Sequence, residues 1–281
     1  MATLHSVVLA GGLMFFAPAS IAQSEPATHS QEVQQSSRLN ANERKVFLDK
    51  AQKAYSILSA QGLHGFRCRV QPDFDVAFRT LGTDAVGESQ LLPILRKIRF
   101  QVVAGADGAA TVSHQSDEAP PNQQVGARVT QSIGGMDQVI DGFLQTWAPL
   151  AITSPFAGSD AARVEIEDIG TKYRLTAKDA SNNVVMLIRR DFAIEQFDVA
   201  VSGKNVMLRP QWDVTPKGWR LASYEGTYDS GSGQPQQLSA KFEYQDVESF
   251  QLLRSVDVTV QSPAGTVHVP IAFSEYQIKK L

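Results

Sequence analysis

The chain is nearly devoid of cysteine. Cys68 is the only one among its 281 residues, so no disulfide can form within the chain. A lone thiol in an oxidising compartment is either buried or reactive. Cys68 shares a strand face with Phe66 and Val70, which favours a small buried apolar residue. Arg67 and Arg69 would lower its pKa if it were exposed, but no His-Asn or His-Asp context indicates a nucleophile.

Recognisable catalytic and metal-binding motifs are also missing. The sequence contains no GxSxG, HxH, HxxxH or HExxH, which disfavours the corresponding serine hydrolases and zinc sites. Residues 230–233 read Ser-Gly-Ser-Gly but lack the Gly-Lys-Ser/Thr ending of a phosphate loop. Asp73 and Asp75 would stand on one face as paired carboxylates for acid–base chemistry or a cation, and a solvated loop is the alternative. The sequence therefore predicts a protein that is not an enzyme and that holds neither metal nor cofactor.

Neither sign of charge dominates. The 26 Lys and Arg and 29 Asp and Glu residues give a formal net charge of −3. Because domains that bind nucleic acid usually carry a basic patch or stripe, no nucleic-acid partner is expected. The length fits one large β-rich domain or two small ones. No internal repeat or linker follows residue 38, which favours a single domain over residues 39–281.

The first 22 residues carry no charged side chain. An apolar run over residues 7–17 is followed by Pro18 and the small-x-small sequence Ser20-Ile21-Ala22, the layout of a secretory signal peptide cleaved after Ala22. No Lys or Arg precedes the run, which is shorter than the roughly 20 apolar residues of a membrane-spanning helix. We therefore expect a periplasmic or secreted protein that is not an integral membrane protein. Residues 23–38 are polar without aromatics and predict a disordered tail.

The strongest helical pattern lies within residues 134–150. Its large apolar side chains recur at i, i+3, i+4, i+7, i+8 and i+11 and share one helical face: Met136, Val139, Ile140, Phe143, Leu144 and Trp147. The opposite, polar side is predicted to hold Asp137, Gln138, Asp141, Gln145 and Thr146. Gly134 and Gly135 precede the predicted helix, and Pro149 ends it.

Two more helices are predicted before it. The first spans residues 40–61, with Asn40 and Glu43 as a capping box and Gly62 at its end. The second covers residues 83–92. Between them, residues 63–78 are predicted to be extended, with a break at residues 71–73.

From Arg163 onward the pattern changes to period two. Turn signals recur about every 8 to 12 residues without helices between them, which predicts an antiparallel meander and not βαβ units. In one of these strands, Trp219, Leu221 and Ser223 alternate with Arg220, Ala222 and Tyr224. An earlier hairpin is predicted across residues 105–108, and Pro270 indicates an edge strand or a bulge. The amphipathic helix needs a surface to lie on, and this sheet is the only large one.

The last strands carry a resemblance to a known family. The residues concerned are Phe242-Glu-Tyr244, Val256-Asp-Val258-Thr-Val260, Ile271-Ala-Phe273-Ser-Glu-Tyr276, and upstream Leu175 and Asp191-Phe192-Ala-Ile194. With the two main helices, they resemble the LolA-like secreted proteins over residues 40–281. The resemblance implies a mainly β fold with α: an incomplete antiparallel β-barrel, or half-barrel, wrapped over a few helices around an apolar cavity. Members of that superfamily carry lipids or acylated lipoproteins across the envelope. The chain departs from the lipoprotein carrier at residues 71–75, where it lacks aromatic-rich strands with a Trp before an Arg-Pro pair.

Two function hypotheses follow. In the first, the protein binds or carries a lipid or acylated ligand in a cavity lined by Met136, Ile140, Phe143 and Trp147, with Phe156 at its mouth. In the second, these residues are plain core, the interior is filled, and the protein is an envelope interaction module. It would then contact an envelope protein partner through residues 115–124 or 229–235. A third hypothesis, an esterase, has the least support.

Overall fold

Thirteen antiparallel strands form one open sheet, accompanied by four α-helices, in the part of the chain that the structure describes. The structure is a computed structural model. It describes residues 37–81, 85–116, 120–157, 159–178, 182–201, 204–229, 235–262 and 265–280. The predicted signal peptide, residues 1–22, and residues 23–36 of the predicted tail lie outside the described residues. The mainly β fold class with α is confirmed.

The helices are α1 (Ala41–Lys53), α2 (Phe74–Leu81), α3 (Ala85–Leu95) and α4 (Gln123–Ala151). The strands are β1 (Ser37–Arg38), β2 (Leu63–Pro72), β3 (Arg99–Gly105), β4 (Ala110–Gln115), β5 (Val164–Asp168), β6 (Lys172–Lys178), β7 (Asn182–Arg189), β8 (Ile194–Val201), β9 (Lys204–Thr215), β10 (Gly218–Asp229), β11 (Gln236–Val247), β12 (Phe250–Ser262) and β13 (Gly265–Lys280). Their order in the sheet is β1-β5-β6-β7-β8-β9-β10-β11-β12-β13-β2-β3-β4. The predicted meander is confirmed as β5 to β13, and the predicted hairpin is β3–β4.

The register of the meander follows from burial of one face. Phe242 on β11 lies opposite Val256 on β12, which lies opposite Ile271 on β13. All three side chains are buried. Because a slip of one residue would move each of them to the exposed face, this apolar row fixes the pairing of the three strands.

The first helix begins as predicted and ends earlier. Asn40 and Glu43 form the predicted capping box, with the Asn40 side chain accepting from the Glu43 N–H at 3.1 Å. The helix ends at Lys53 and not at residue 61, because the Ala54 carbonyl accepts a hydrogen bond from the Trp219 N–H of β10 at 2.8 Å. This pairing with a distant strand draws the chain out of the helix.

Tyr55 fixes the end of α1 to the sheet. Its buried hydroxyl donates to the Phe192 carbonyl at 2.7 Å and accepts from the Ile194 N–H at 2.9 Å. Phe192 has a left-handed φ of +68°, a conformation that costs a non-glycine residue about 1–2 kcal/mol. The two hydrogen bonds from one side chain hold this tight turn between β7 and β8.

Replacing Tyr55 by phenylalanine is expected to lower the free energy of unfolding by about 2–3 kcal/mol, because it leaves two backbone groups without a partner. Urea unfolding followed by circular dichroism measures this loss. Tyr173→Phe is the matched control, since Tyr173 is only half-buried and packs against Arg190 at the surface. Equal, small losses in both variants would contradict the structural role given to Tyr55.

The segment after β2 differs from the prediction. Residues 74–78, predicted as extended, belong to α2, because Asp73 caps that helix and its carboxylate accepts from the Val76 N–H at 3.0 Å. The next helix, α3, continues through Pro93 and ends at Leu95 instead of residue 92.

Helix α4 is longer than predicted. It begins at Gln123, where the Asn122 side chain accepts from the Val125 N–H at 2.9 Å, and it has 29 residues. Gly134 and Gly135 therefore lie inside the helix and not before it, and Pro149 lies inside its last turn and does not end it. The apolar stripe continues into the added part through buried residues at the same helical spacing: Val125, Val129 and Ile133.

Two further predictions about strands need correction. Ser37 and Arg38, assigned to the disordered tail, pair with Asp168 and Glu167 of β5. Pro270 lies in β13, an interior strand and not an edge. It is tolerated because β2 ends at Pro72: the next residue, Asp73, donates its N–H to the Pro270 carbonyl at 2.8 Å, while its own carbonyl accepts from the Ala77 N–H of α2.

Candidate functional site

The five residues predicted to line a cavity are all buried. Met136, Ile140, Phe143 and Trp147 lie on one face of α4, and each is no more than 6% exposed. Phe156 follows the helix and is also buried, with its ring edge against Tyr55 at 5.9 Å. The structure thus brings the four helical residues together under α4 and places Phe156 beside the end of α1.

Trp147 is the centre of the contact between α4 and the sheet. Its Nε1 donates to the Tyr244 hydroxyl at 3.2 Å, and that hydroxyl donates to the Leu221 carbonyl at 2.6 Å. The Phe66 ring of β2 meets Trp147 edge-on with 6.4 Å between centroids. One turn earlier, Phe143 packs edge-on against Phe273 of β13 at 5.8 Å. The inner face of α4 therefore rests on aromatic side chains from β2, β11 and β13.

A group of hydroxyls interrupts this apolar contact. We call Thr146, Tyr224 and Tyr228 the hydroxyl cluster. Thr146 was predicted on the polar side of the helix, but it is buried and donates to the Gly142 carbonyl at 3.3 Å. The phenols of Tyr224 and Tyr228 on β10 lie near its hydroxyl. Thr146 is close enough to act on the pKa of both phenols as a polar neighbour, but neither phenol oxygen has a partner among the described residues that satisfies hydrogen-bond distance and angle.

The two phenols remain neutral. Burial raises the pKa of Tyr224 well above its ordinary value, and burial raises the pKa of Tyr228 to about 12. At neutral pH both groups are therefore O–H donors. A buried hydroxyl without a hydrogen-bond partner lowers the free energy of unfolding by about 1–3 kcal/mol. The two phenols of the hydroxyl cluster could therefore still form favourable hydrogen bonds.

Three glycines weaken α4 where it covers the sheet. A Cβ at Gly134, Gly135 or Gly142 would meet no atom within 4 Å, so packing does not require glycine there. The helix is tied to the edge strand β4 by His114, whose Nδ1 lies 2.9 Å from the Asp137 carboxylate. The helix is thus well packed on its inner face but intrinsically less stable along its length.

Two open clefts lie on the surface, and neither is lined by the five predicted residues. One of about 370 Å³ lies over β7 to β10 and is lined by Asn183, Asp198, Val199, Ala200, Asn205, Val206, Met207 and Thr227. The other, of about 410 Å³, lies beside α2 and includes Asp73, Asp75 and Arg96. In it the Arg96 guanidinium hydrogen-bonds to Asp75 and holds the pKa of that carboxyl below its usual range. Because Asp73 caps α2, both carboxylates already have partners.

Cys68 is fully buried, and burial raises the pKa of its thiol to about 12. The interpretation as a small buried apolar residue is confirmed.

Of the segments predicted to meet a partner, residues 115, 116 and 120–124 are described, and residues 230–234 lie outside the described residues.

Comparison with known proteins returns no match to a family model, a curated protein or a solved structure. Among the described helices, none combines the length and apolar character needed to cross a membrane.

Proposed function

We propose that the protein binds and carries a hydrophobic ligand, a lipid or acyl chain, in the periplasm. In this proposal the open sheet is an incomplete antiparallel barrel, and α4 is a lid over its apolar face. The observation that carries the proposal is the character of the long helix α4. Its inner face is wholly apolar apart from Thr146, and packing does not require glycine at positions 134, 135 and 142. A helix that only filled the core would gain stability from alanine at these positions.

The energy of binding would come from removing the ligand from water. An acyl chain of about sixteen carbons offers on the order of 10 kcal/mol at about 0.8 kcal/mol per methylene. The ligand would replace the contacts that Phe143 and Trp147 make with the sheet when the helix moves outward. Each interior glycine lowers helix stability by about 0.5–1 kcal/mol relative to alanine, which lowers the cost of that movement.

The test combines ligand identification with a lid variant. Native mass spectrometry of the protein, purified from its own envelope without detergent, is expected to show a bound mass in the lipid range. The triple variant Gly134→Ala, Gly135→Ala and Gly142→Ala is expected to slow uptake of a pyrene-labelled acyl probe at least about tenfold, because about 1.5–3 kcal/mol of added helix stability opposes opening.

Gly126→Ala is the matched control, because it adds one methyl group to the same helix ahead of the glycine segment, where a Cβ would meet only Pro120. As a single substitution worth about 0.5–1 kcal/mol, it is expected to slow probe uptake by no more than about fivefold, well short of the effect of the triple variant. Absence of any bound lipid together with absence of probe uptake would refute the carrier proposal.

The alternative is an envelope interaction module with a filled core. The observation that favours it is the burial of all five predicted lining residues. In that case the triple glycine variant would raise thermal stability without changing any ligand exchange, and crosslinking in the envelope would capture a protein partner.

A further inference from the structure

We infer that the hydroxyl cluster of Thr146, Tyr224 and Tyr228 is a polar anchor for an uncharged acyl group, the carbonyl of an ester or an amide. The inference rests on the proposed function, because it names the class of ligand that the site under α4 would take. Two buried hydroxyls without partners on β10, next to the buried Thr146 of α4, form this site.

The donors and acceptors of the cluster match a carbonyl. The Thr146 hydroxyl uses its proton on the Gly142 carbonyl, and a hydroxyl oxygen can only accept further bonds once its proton is used. The phenols of Tyr224 and Tyr228 still have O–H groups to donate. A carbonyl oxygen has two lone pairs and can accept from both phenols. A plain hydrocarbon would leave both donors unsatisfied.

The charge of the site excludes an anion. No charged side chain among the described residues acts electrostatically on Tyr224 or Tyr228; Thr146 acts on both phenols, and Tyr228 also acts on Tyr224. Burying a carboxylate without a cationic partner is strongly unfavourable. The cluster therefore selects an ester or amide over the free fatty acid anion.

The test compares three pyrene-labelled probes of equal chain length: a methyl ester, the free acid as its carboxylate in mildly alkaline buffer, and the hydrocarbon. The ester is expected to bind about tenfold more tightly than either of the others, which corresponds to one net hydrogen bond. In the Tyr224→Phe, Tyr228→Phe double variant this preference is expected to disappear while hydrocarbon binding persists.

Tyr173→Phe is the matched control and should keep the ester preference. The double variant should unfold at the same temperature as the natural chain or at a higher one, because each removed hydroxyl lacks a hydrogen-bond partner and its burial is unfavourable. If the double variant does not fold, Tyr228→Phe alone serves as the test, since Tyr228 is only partly buried.

The possible results separate the two proposals. If all three probes bind alike, or if the double variant keeps the ester preference, the anchor is refuted and the carrier proposal stands. If no probe binds, the carrier proposal fails and the anchor fails with it.

Discussion

Above pH 10 the protein is expected to lose stability steeply and to unfold in one cooperative step. Five of its six tyrosines have a pKa raised by burial: Tyr55, Tyr224, Tyr228, Tyr244 and Tyr276. The hydroxyls of Tyr55, Tyr244 and Tyr276 also donate to backbone carbonyls. Ionisation would remove the proton from each of these hydrogen bonds.

The sign of the effect follows from proton binding. An unfolded tyrosine releases its proton near pH 10, whereas these five folded tyrosines retain theirs to higher pH. The stability they provide is therefore complete below pH 10 and is lost as the pH rises. Each group contributes a slope of about 1.4 kcal/mol per pH unit, so five contribute about 7 kcal/mol per unit.

Tyrosinate absorbance and far-ultraviolet circular dichroism, recorded together along an alkaline titration, measure this effect. The absorbance of the buried tyrosines is expected to rise in the same narrow pH interval in which the β signal disappears. Tyr228→Phe removes one of the five groups. It should therefore reduce the dependence of the unfolding free energy on pH by about 1.4 kcal/mol per pH unit. A gradual rise in absorbance with an unchanged β signal would show that the phenols are accessible.

The same tyrosines show where local sequence patterns stop being informative. The alternation of Leu221 with Tyr224 places them on opposite faces of β10, yet both are buried. The reason is a bulge between Leu221 and Ser223, which shifts the register against β9 and reverses the alternation. Because that bulge depends on the neighbouring strand, a pattern within one strand does not reveal it.

The helices show the same division between local and distant causes. The capping box at Asn40 is a local signal and was predicted correctly. The end of α1 depends on the bond from Trp219 to Ala54, far apart in the sequence, and was predicted wrongly. Thr146 follows Val139 by two helical turns and points in nearly the same direction, within about 20°, at the border of the apolar stripe. The face of a border residue is decided by the strand it meets, here β10.

Replacing Trp147 by alanine is expected to lower the free energy of unfolding by about 3–5 kcal/mol, the usual cost of deleting a buried aromatic side chain. Trp147 is fully buried and touches Phe66. Its loss also leaves the Tyr244 hydroxyl without its donor. Urea unfolding with an unchanged denaturant slope would assign the loss to stability and not to a change in the unfolded state.

Two variants separate the causes of that loss. Trp147→Phe keeps most of the ring and removes the bond to Tyr244, so a loss of about 1–2 kcal/mol is expected. Val214→Ala truncates a side chain that is 79% exposed, and its effect is expected to stay within about 0.5 kcal/mol. If Trp147→Ala were as mild as Val214→Ala, the inner face of α4 would not be packed on the sheet in solution. In the carrier proposal, α4 would then already be open without ligand, and ligand uptake would not depend on Gly134, Gly135 and Gly142.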